Sequence, residues 1–274
     1  PVLAYERVAF KSGSFLLESV EGGERLARFS FIGSSPFLRF RSKGKCVHIS
    51  EHGTHVEYPL SDNEDALTHL KALLSKYNYV VSQDLPAFCG GAVGYMAYDM
   101  VRYFEDLPST TMDDLDLSDC EFLFTDLLVI FDHVKNRLKV VCNAIFDEDP
   151  QAAYETALSR IDSLIENLRT PADMTVEETA IISEFPISCN VTQSQYESAV
   201  EKCREYIFAG DAFQVVPSLR FSTPLGVHPF QVYRSLRSLN PSPYMYYVDL
   251  DDVQIVGTSP EILATMRNGK VRVR

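Results

Sequence analysis

The chain has no C-x-x-C pair and no apolar run near the ~20 residues that a membrane-spanning helix needs. Its six cysteines, Cys46, Cys89, Cys120, Cys142, Cys189 and Cys203, are scattered. That excludes a dense disulfide framework and leaves reduced, mostly buried thiols of a cytoplasmic protein as the expectation. The longest apolar candidate, Phe122 to Phe131, is broken by Thr125 and Asp126. No signal-peptide pattern is visible in these residues. Positive charge is also short. Lysine and arginine number 25 against 38 acidic residues, a net charge of −13, so the basic footprint of a nonspecific nucleic-acid binder is missing. Internal repeats and low-complexity tracts are absent as well. Hydrophobic residues make up 46% and charged residues 23%, a globular rather than disordered balance. The chain starts at Pro1 and stops in an alternating stretch, Lys270 to Arg274; a fragment of a longer protein is the expectation.

The first third reads as a meander of antiparallel strands. Arg28 to Ile32 ends at Gly33, and Phe37–Arg41, Cys46–Ser50 and Thr54–Tyr58 are separated by Lys43-Gly44 and Glu51-His52-Gly53. Ser61 and Glu64 have capping-box spacing before a helix with Leu67, Leu70 and Leu74 on one stripe. Strands are expected over 122–131 and 137–142. A long helix is expected after Asp149-Pro150, with Tyr154, Ala157, Leu158, Ile161, Leu164, Ile165 and Leu168 at helical spacing. Residues 170–187 read as a linker. A further helix is expected from the Thr192/Gln195 capping box to Gly210, burying Tyr196, Ala199, Val200, Cys203 and Ile207. Beyond it come a strand over 213–221, a helix over 230–239, strands over 244–250 and 253–257, and a hairpin about Asn268-Gly269. Antiparallel strands with helices in no regular alternation give an α+β architecture.

Gly90-Gly91-Ala92-Val93-Gly94-Tyr95 has neither the Lys-Ser/Thr ending of a phosphate loop nor the spacing of a dinucleotide fingerprint. These glycines read as sites of close backbone packing in a buried strand. His48, His52 and His55 lie on a polar hairpin, where i and i+4 positions are far apart; they read as surface histidines, and no metal ligands are expected in the chain. Leu16-Leu17-Glu18-Ser19 puts a carboxylate and a hydroxyl at the end of an apolar strand. In Asn240-Pro241-Ser242-Pro243-Tyr244-Met245-Tyr246-Tyr247 each proline holds its predecessor extended. That segment suits either a rigid helix-to-strand connection or recognition of an ammonium by backbone carbonyls beside an apolar wall. Gly257-Thr258-Ser259-Pro260-Glu261 suits either a plain turn or a positioned carboxylate.

Together these segments resemble anthranilate synthase component I, among the chorismate-utilising enzymes. The matching stretches are Ser14–Ser19, Arg28–Gly33, Gly90–Glu105, Gly210–Phe221, Asn240–Tyr247 and Gly257–Glu261, in family order. Leu219 departs from the pattern, where the family usually has glutamine. The resemblance implies an α+β fold of antiparallel sheets packed with helices, C-terminally incomplete here. It makes residues 1–180 the N-terminal region and 188–274 the start of the chorismate-binding region. It implies conversion of chorismate, with ammonia from a glutamine amidotransferase partner (component II), to anthranilate and pyruvate. Mg²⁺ would be the cofactor, its ligands expected beyond Arg274. L-tryptophan would inhibit through Glu18, Ser19, Pro243, Tyr244 and Met245, and Glu261 would be the catalytic-side carboxylate present. Aminodeoxychorismate synthase component I, or a noncatalytic L-tryptophan-binding fragment, is the alternative.

Overall fold

The computed structural model describes residues 1–20, 28–80, 82–146, 148–170 and 185–273. The chain forms two compact units, residues 1–174 with 230–274, and residues 175–229.

The larger unit opens with a short helix, α1 (Val2–Val8), and strand β1 (Ser14–Glu18). The predicted meander follows as β2 (Phe29–Ser34), β3 (Leu38–Lys43), β4 (Cys46–Glu51) and β5 (Thr54–Pro59). Helix α2 (Ala66–Ser75) comes next, but Ser61 and Glu64 do not cap it. Glu64 accepts hydrogen bonds from Ser61 N and Oγ and closes a separate turn; the cap is Asp65, which accepts from Thr68 N at 2.6 Å. That later start rotates the buried stripe to Ala66, Leu70 and Leu73 and leaves Leu74 exposed. Strand β6 (Gly91–Met96) leads through a 3₁₀ turn, Tyr98–Tyr103, to β7 (Cys120–Thr125), β8 (Leu127–Asp132) and β9 (Arg137–Cys142). Helix α3 (Pro150–Arg169) starts as its sequence predicts, with Asp149 accepting from Gln151 N and Ala152 N. Ala157 and Leu164 are buried along it, whereas Tyr154 and Leu158 stay exposed.

The run expected as one strand over 122–131 is two strands in two sheets, broken at Asp126. The Asp126 carboxylate is buried at this corner and held by Arg160 of α3 through bonds of 2.5 and 2.8 Å. A charge this deep needs its partner, so the corner and the helix come as a pair.

In the smaller unit, β10 (Ser188–Cys189) pairs with β11 (Phe221–Ser222), and α4 (Gln193–Ala209) carries the predicted capping box and a left-handed Gly210 at its end. Two expectations fail here. No residue of α4 is buried; Ala199 and Ile207 are exposed, and Tyr196, Val200 and Cys203 are only half-buried. The strand expected over 213–221 is confined to Phe221–Ser222. Pro217 offers no N–H to a ladder, and Phe213 is 93% exposed. The linker expected over 170–187 lies for the most part outside the described residues.

The chain re-enters the larger unit with α5 (Pro229–Leu239), β12 (Tyr244–Asp249), β13 (Gln254–Ser259) and the hairpin β14 (Ala264–Arg267) and β15 (Lys270–Val273). Asn268 and Gly269 both take positive φ, as a two-residue hairpin turn requires.

Two antiparallel sheets result. One has the order β13-β12-β1-β2-β8-β9 and the other β5-β4-β3-β7-β6. Phe15, Leu123, Leu128, Ile130 and Val248 fill the space between them. The outer face of the six-stranded sheet is covered by α1, α3 and α5 around Tyr5, Leu164, Phe230, Tyr233 and Tyr247. Tyr5 stacks on Phe230 at 4.6 Å between ring centres, and Phe230 meets Tyr247 edge-on at 5.1 Å. Burying each such ring contributes roughly 2–3 kcal/mol. Helix α2 covers the five-stranded sheet. The fold is thus α+β, antiparallel sheets packed with helices, as expected.

The glycine-rich segment is the edge strand β6 rather than a buried one; close packing holds at Gly90 and Gly94, whereas a Cβ on Gly91 would meet nothing. A Cβ on Gly94 would stand 1.8 Å from the Glu121 carbonyl oxygen.

Candidate functional site

Strand β1 pairs with β12 in a register that sets Leu17 opposite Tyr246 and Glu18 opposite Met245. Strand β12 pairs in turn with β13, setting Met245 opposite Thr258 and Tyr244 opposite Ser259. The distant Ser14–Ser19 segment and the two neighbouring segments Asn240–Tyr247 and Gly257–Glu261 therefore finish side by side at one end of a three-strand ribbon. The prolines explain the seam. Pro241 and Pro243 keep the chain out of α5 and feed it extended into β12. Past the end of β1, Val20 N donates to the Ser242 carbonyl at 3.1 Å, and Thr258 Oγ1 donates to the Asn240 carbonyl at 2.9 Å. The two carbonyls that the prolines hold away from helix bonding thus each accept one long-range bond, and each keeps a second lone pair.

Glu18 is 5% exposed. Side chains alternate along β1, so Glu18 points with Ser14 and Leu16 toward the helices. There Tyr233 OH donates to Oε2 at 2.6 Å, and Arg237 donates through Nε at 2.9 Å and Nη2 at 3.3 Å. Tyr233 and Arg237 are four apart on α5 and so share a face. Burial and the adjacent Glu18 charge raise the Tyr233 phenol far above its usual range; hydrogen bonding to Glu18 raises Arg237. Across β1, Glu18 is opposite Ser30, whose Oγ lies 2.7 Å from His133 Nε2. Desolvation lowers the His133 pKa, so it holds its proton less firmly than a free imidazole.

Ser19 stands where β1 ends. Its Oγ is buried and has no hydrogen-bond partner among the described residues. An unpaired buried hydroxyl costs about 1–3 kcal/mol, and it is available to a group that can bond it. Met245 is 1% exposed and packs in the helix-side core with Leu16, whereas Tyr244 and Leu17 point to the opposite face. Leu16 and Met245 thus lie on one face of the sheet and Leu17 and Tyr244 on the other. Glu261 follows β13, exposed, with Ser259 Oγ donating to its carbonyl at 3.0 Å. Gly257, one register step before Thr258, lies under the Tyr246 ring, where a Cβ would come within 2.0 Å.

A family model described as chorismate binding enzyme matches residues 14–274. The chain belongs to the chorismate-binding enzyme family. Anthranilate synthase component 1 of Acetivibrio thermocellus is 35% identical over 99% of this chain and 55% of its own length. That of Thermus thermophilus is 39% identical over all of this chain and 56% of its own length. The crystal structure of anthranilate synthase component I from Streptococcus pneumoniae matches with a TM-score of 0.72 at 31% identity, covering 89% of this chain and 53% of that one. The chain spans about half the length of the curated relatives it matches.

Sequence reasoning missed Tyr233 and Arg237. The available signal was their i, i+4 spacing on a helix leading into the proline segment; the Glu18 partner 219 residues earlier carries no local mark. Among the described residues, the one cluster of metal-ligating side chains is also one that the sequence did not disclose, Cys46, His48 and Glu57.

Proposed function

We propose that the protein is the large subunit of anthranilate synthase, component I. It would convert chorismate and ammonia to anthranilate and pyruvate in tryptophan biosynthesis, with ammonia supplied by a glutamine amidotransferase subunit, component II. Feedback inhibition by L-tryptophan belongs to the same proposal. In it, residues 1–180 are the N-terminal region and 188–274 open the chorismate-binding region. A cytoplasmic location belongs to the same proposal.

The observation that carries the regulatory part is the buried Ser19 Oγ at the β1–β12 junction, without a hydrogen-bond partner among the described residues. An amino-acid ammonium has donors for that hydroxyl and for the second lone pair of the Ser242 carbonyl, beside the Glu18 charge. Pro243 and Tyr244 would border the aromatic ring, and Met245 would support it from the core. Glu261 would serve the chorismate side at the other end of the same turn. A ligand favouring one arrangement of the ribbon end shifts the population toward it. The reaction in this proposal uses Mg²⁺. Among the described residues Glu261 belongs to no cluster of three metal-ligating side chains. The described residues around Glu261 therefore do not fit Mg²⁺, whose ligands would lie beyond Arg274.

The test is incubation of the whole protein with chorismate, an ammonium salt and Mg²⁺. Equal amounts of anthranilate, read by fluorescence, and pyruvate are expected, with formation suppressed by L-tryptophan. Accumulation of an aminated chorismate without pyruvate would identify an aminodeoxychorismate synthase and overturn the proposal.

A further inference from the structure

Strands β4 and β5 form the outer hairpin of the five-stranded sheet, with β5 at its edge. Val47 and Ile49 of β4 face the α2 core. Cys46, His48 and Ser50 must therefore face the other way. The register sets His48 opposite Glu57 and Ser50 opposite His55, so Glu57 and His55 share that outer face. The ligand atoms of Cys46, His48 and Glu57 all lie within 4.8 Å of one another, and His48 Nδ1 is 3.2 Å from Glu57 Oε1. His52 does not join them; it occupies the turn with a positive φ.

From these residues we propose that the outer face of the β4–β5 hairpin binds a zinc-class divalent ion through Cys46 Sγ, the His48 imidazole and the Glu57 carboxylate, with His55 supplying the fourth donor. The donor set selects the class. Thiolate and imidazole suit Zn²⁺ and Co²⁺, whereas Mg²⁺ and Ca²⁺ take oxygen ligands. Tetrahedral zinc bonds of about 2.0–2.3 Å put donors roughly 3.3–3.8 Å apart. Small rotamer changes in half-buried and exposed side chains close the present spacing to that. His55 is diagonal to His48 across the pair, within reach of a long side chain.

The neighbouring cations do not oppose an ion there. Arg41, opposite His48, is held by Glu121 at 3.1 and 3.2 Å and by Asp252 at 3.4 Å. Lys43, opposite Cys46, is bonded to Asp113 and to the Leu117 carbonyl. A cleft of about 780 Å³ lies over this face, lined in part by His48, His55 and Glu57, and gives an ion access from solvent. Binding would tie the edge strand to its neighbour and stabilise the fold by mass action.

Titration of the purified protein with Co²⁺ under reducing conditions tests this. A thiolate-to-cobalt charge-transfer band is expected at one equivalent, together with tetrahedral visible absorption. Zn²⁺ should displace the metal and Mg²⁺ should not. Cys46→Ser should abolish the charge-transfer band. His48→Ala, Glu57→Gln and His55→Ala should each weaken binding by at least about tenfold, with unchanged far-ultraviolet circular dichroism. A wild-type protein without the band, a band that survives Cys46→Ser, or unchanged affinity in Glu57→Gln would overturn the site. Unchanged affinity in His55→Ala would overturn the place given to His55.

Discussion

Replacing Arg237 by methionine is expected to lower the unfolding free energy by about 3 kcal/mol. The Glu18 side chain is 2% exposed and that of Arg237 35%. Methionine retains much of the stem's packing but removes both guanidinium bonds. Glu18 then keeps the Tyr233 hydroxyl and loses its counter-charge, in a place where water does not replace it. The corresponding drop in melting temperature is about 6–12 °C for a unit of this size. Glu18→Gln should cost less, because the amide removes the charge that needs the partner. The double variant Glu18→Gln/Arg237→Met should therefore recover more than half of the loss. Urea denaturation of the four proteins measures this coupling. An Arg237→Met protein within about 0.5 kcal/mol of wild type would mean that Glu18 is effectively solvated, and the account of the ribbon end would fail with it.

Gly94→Ala is expected to destabilise by about 3 kcal/mol or more. The new methyl would meet the Glu121 carbonyl oxygen at 1.8 Å and the Phe122 Cα at 2.7 Å. Both are backbone atoms, so no rotamer change relieves the clash. Strand β6 must move off β7, and ladder bonds over Gly91–Met96 are weakened with it. Glu121 is also the partner of Arg41, so the disturbance reaches β3. Denaturant unfolding should show a lower midpoint with an unchanged slope. A loss under about 1 kcal/mol would show that the edge strand slides aside without cost, contrary to close packing as the reason for the glycine.

What was legible in the sequence is what neighbours in the chain decide. Asp149-Pro150, the Thr192/Gln195 box, Gly210 and Asn268-Gly269 act within a few residues and appear where they were expected. The α+β class and the antiparallel meander are of the same kind, since alternation and turns are local. Errors arose where a local signal had two outlets. Ser61 and Glu64 have the spacing of a helix cap, but they close their own turn, and Asp65, next to the helix, caps it instead. Residues 213–220 have the composition of a strand, but a strand needs a partner's backbone. The apolar run over 122–131 hid a corner because the residue that stabilises Asp126 is 34 positions away. The ribbon end divides in the same manner. Glu18, Ser19 and the Pro243–Met245 segment were visible as unusual places for polar groups and prolines. Their union came only with the β1–β12 register, and so did Tyr233 and Arg237. Cys46, His48 and Glu57 likewise depend on which residue of β5 is opposite which of β4.

In the proposed function, L-tryptophan would bind at the β1–β12 junction through Ser19. Isothermal titration calorimetry with L-tryptophan on the folded protein and on its Ser19→Ala variant tests it most directly. Saturable binding with a rise in melting temperature is expected for the wild type, and loss of most of that affinity for the variant. Absence of heat and of thermal stabilisation at millimolar ligand, or a Ser19→Ala protein that binds as the wild type does, would contradict the claim.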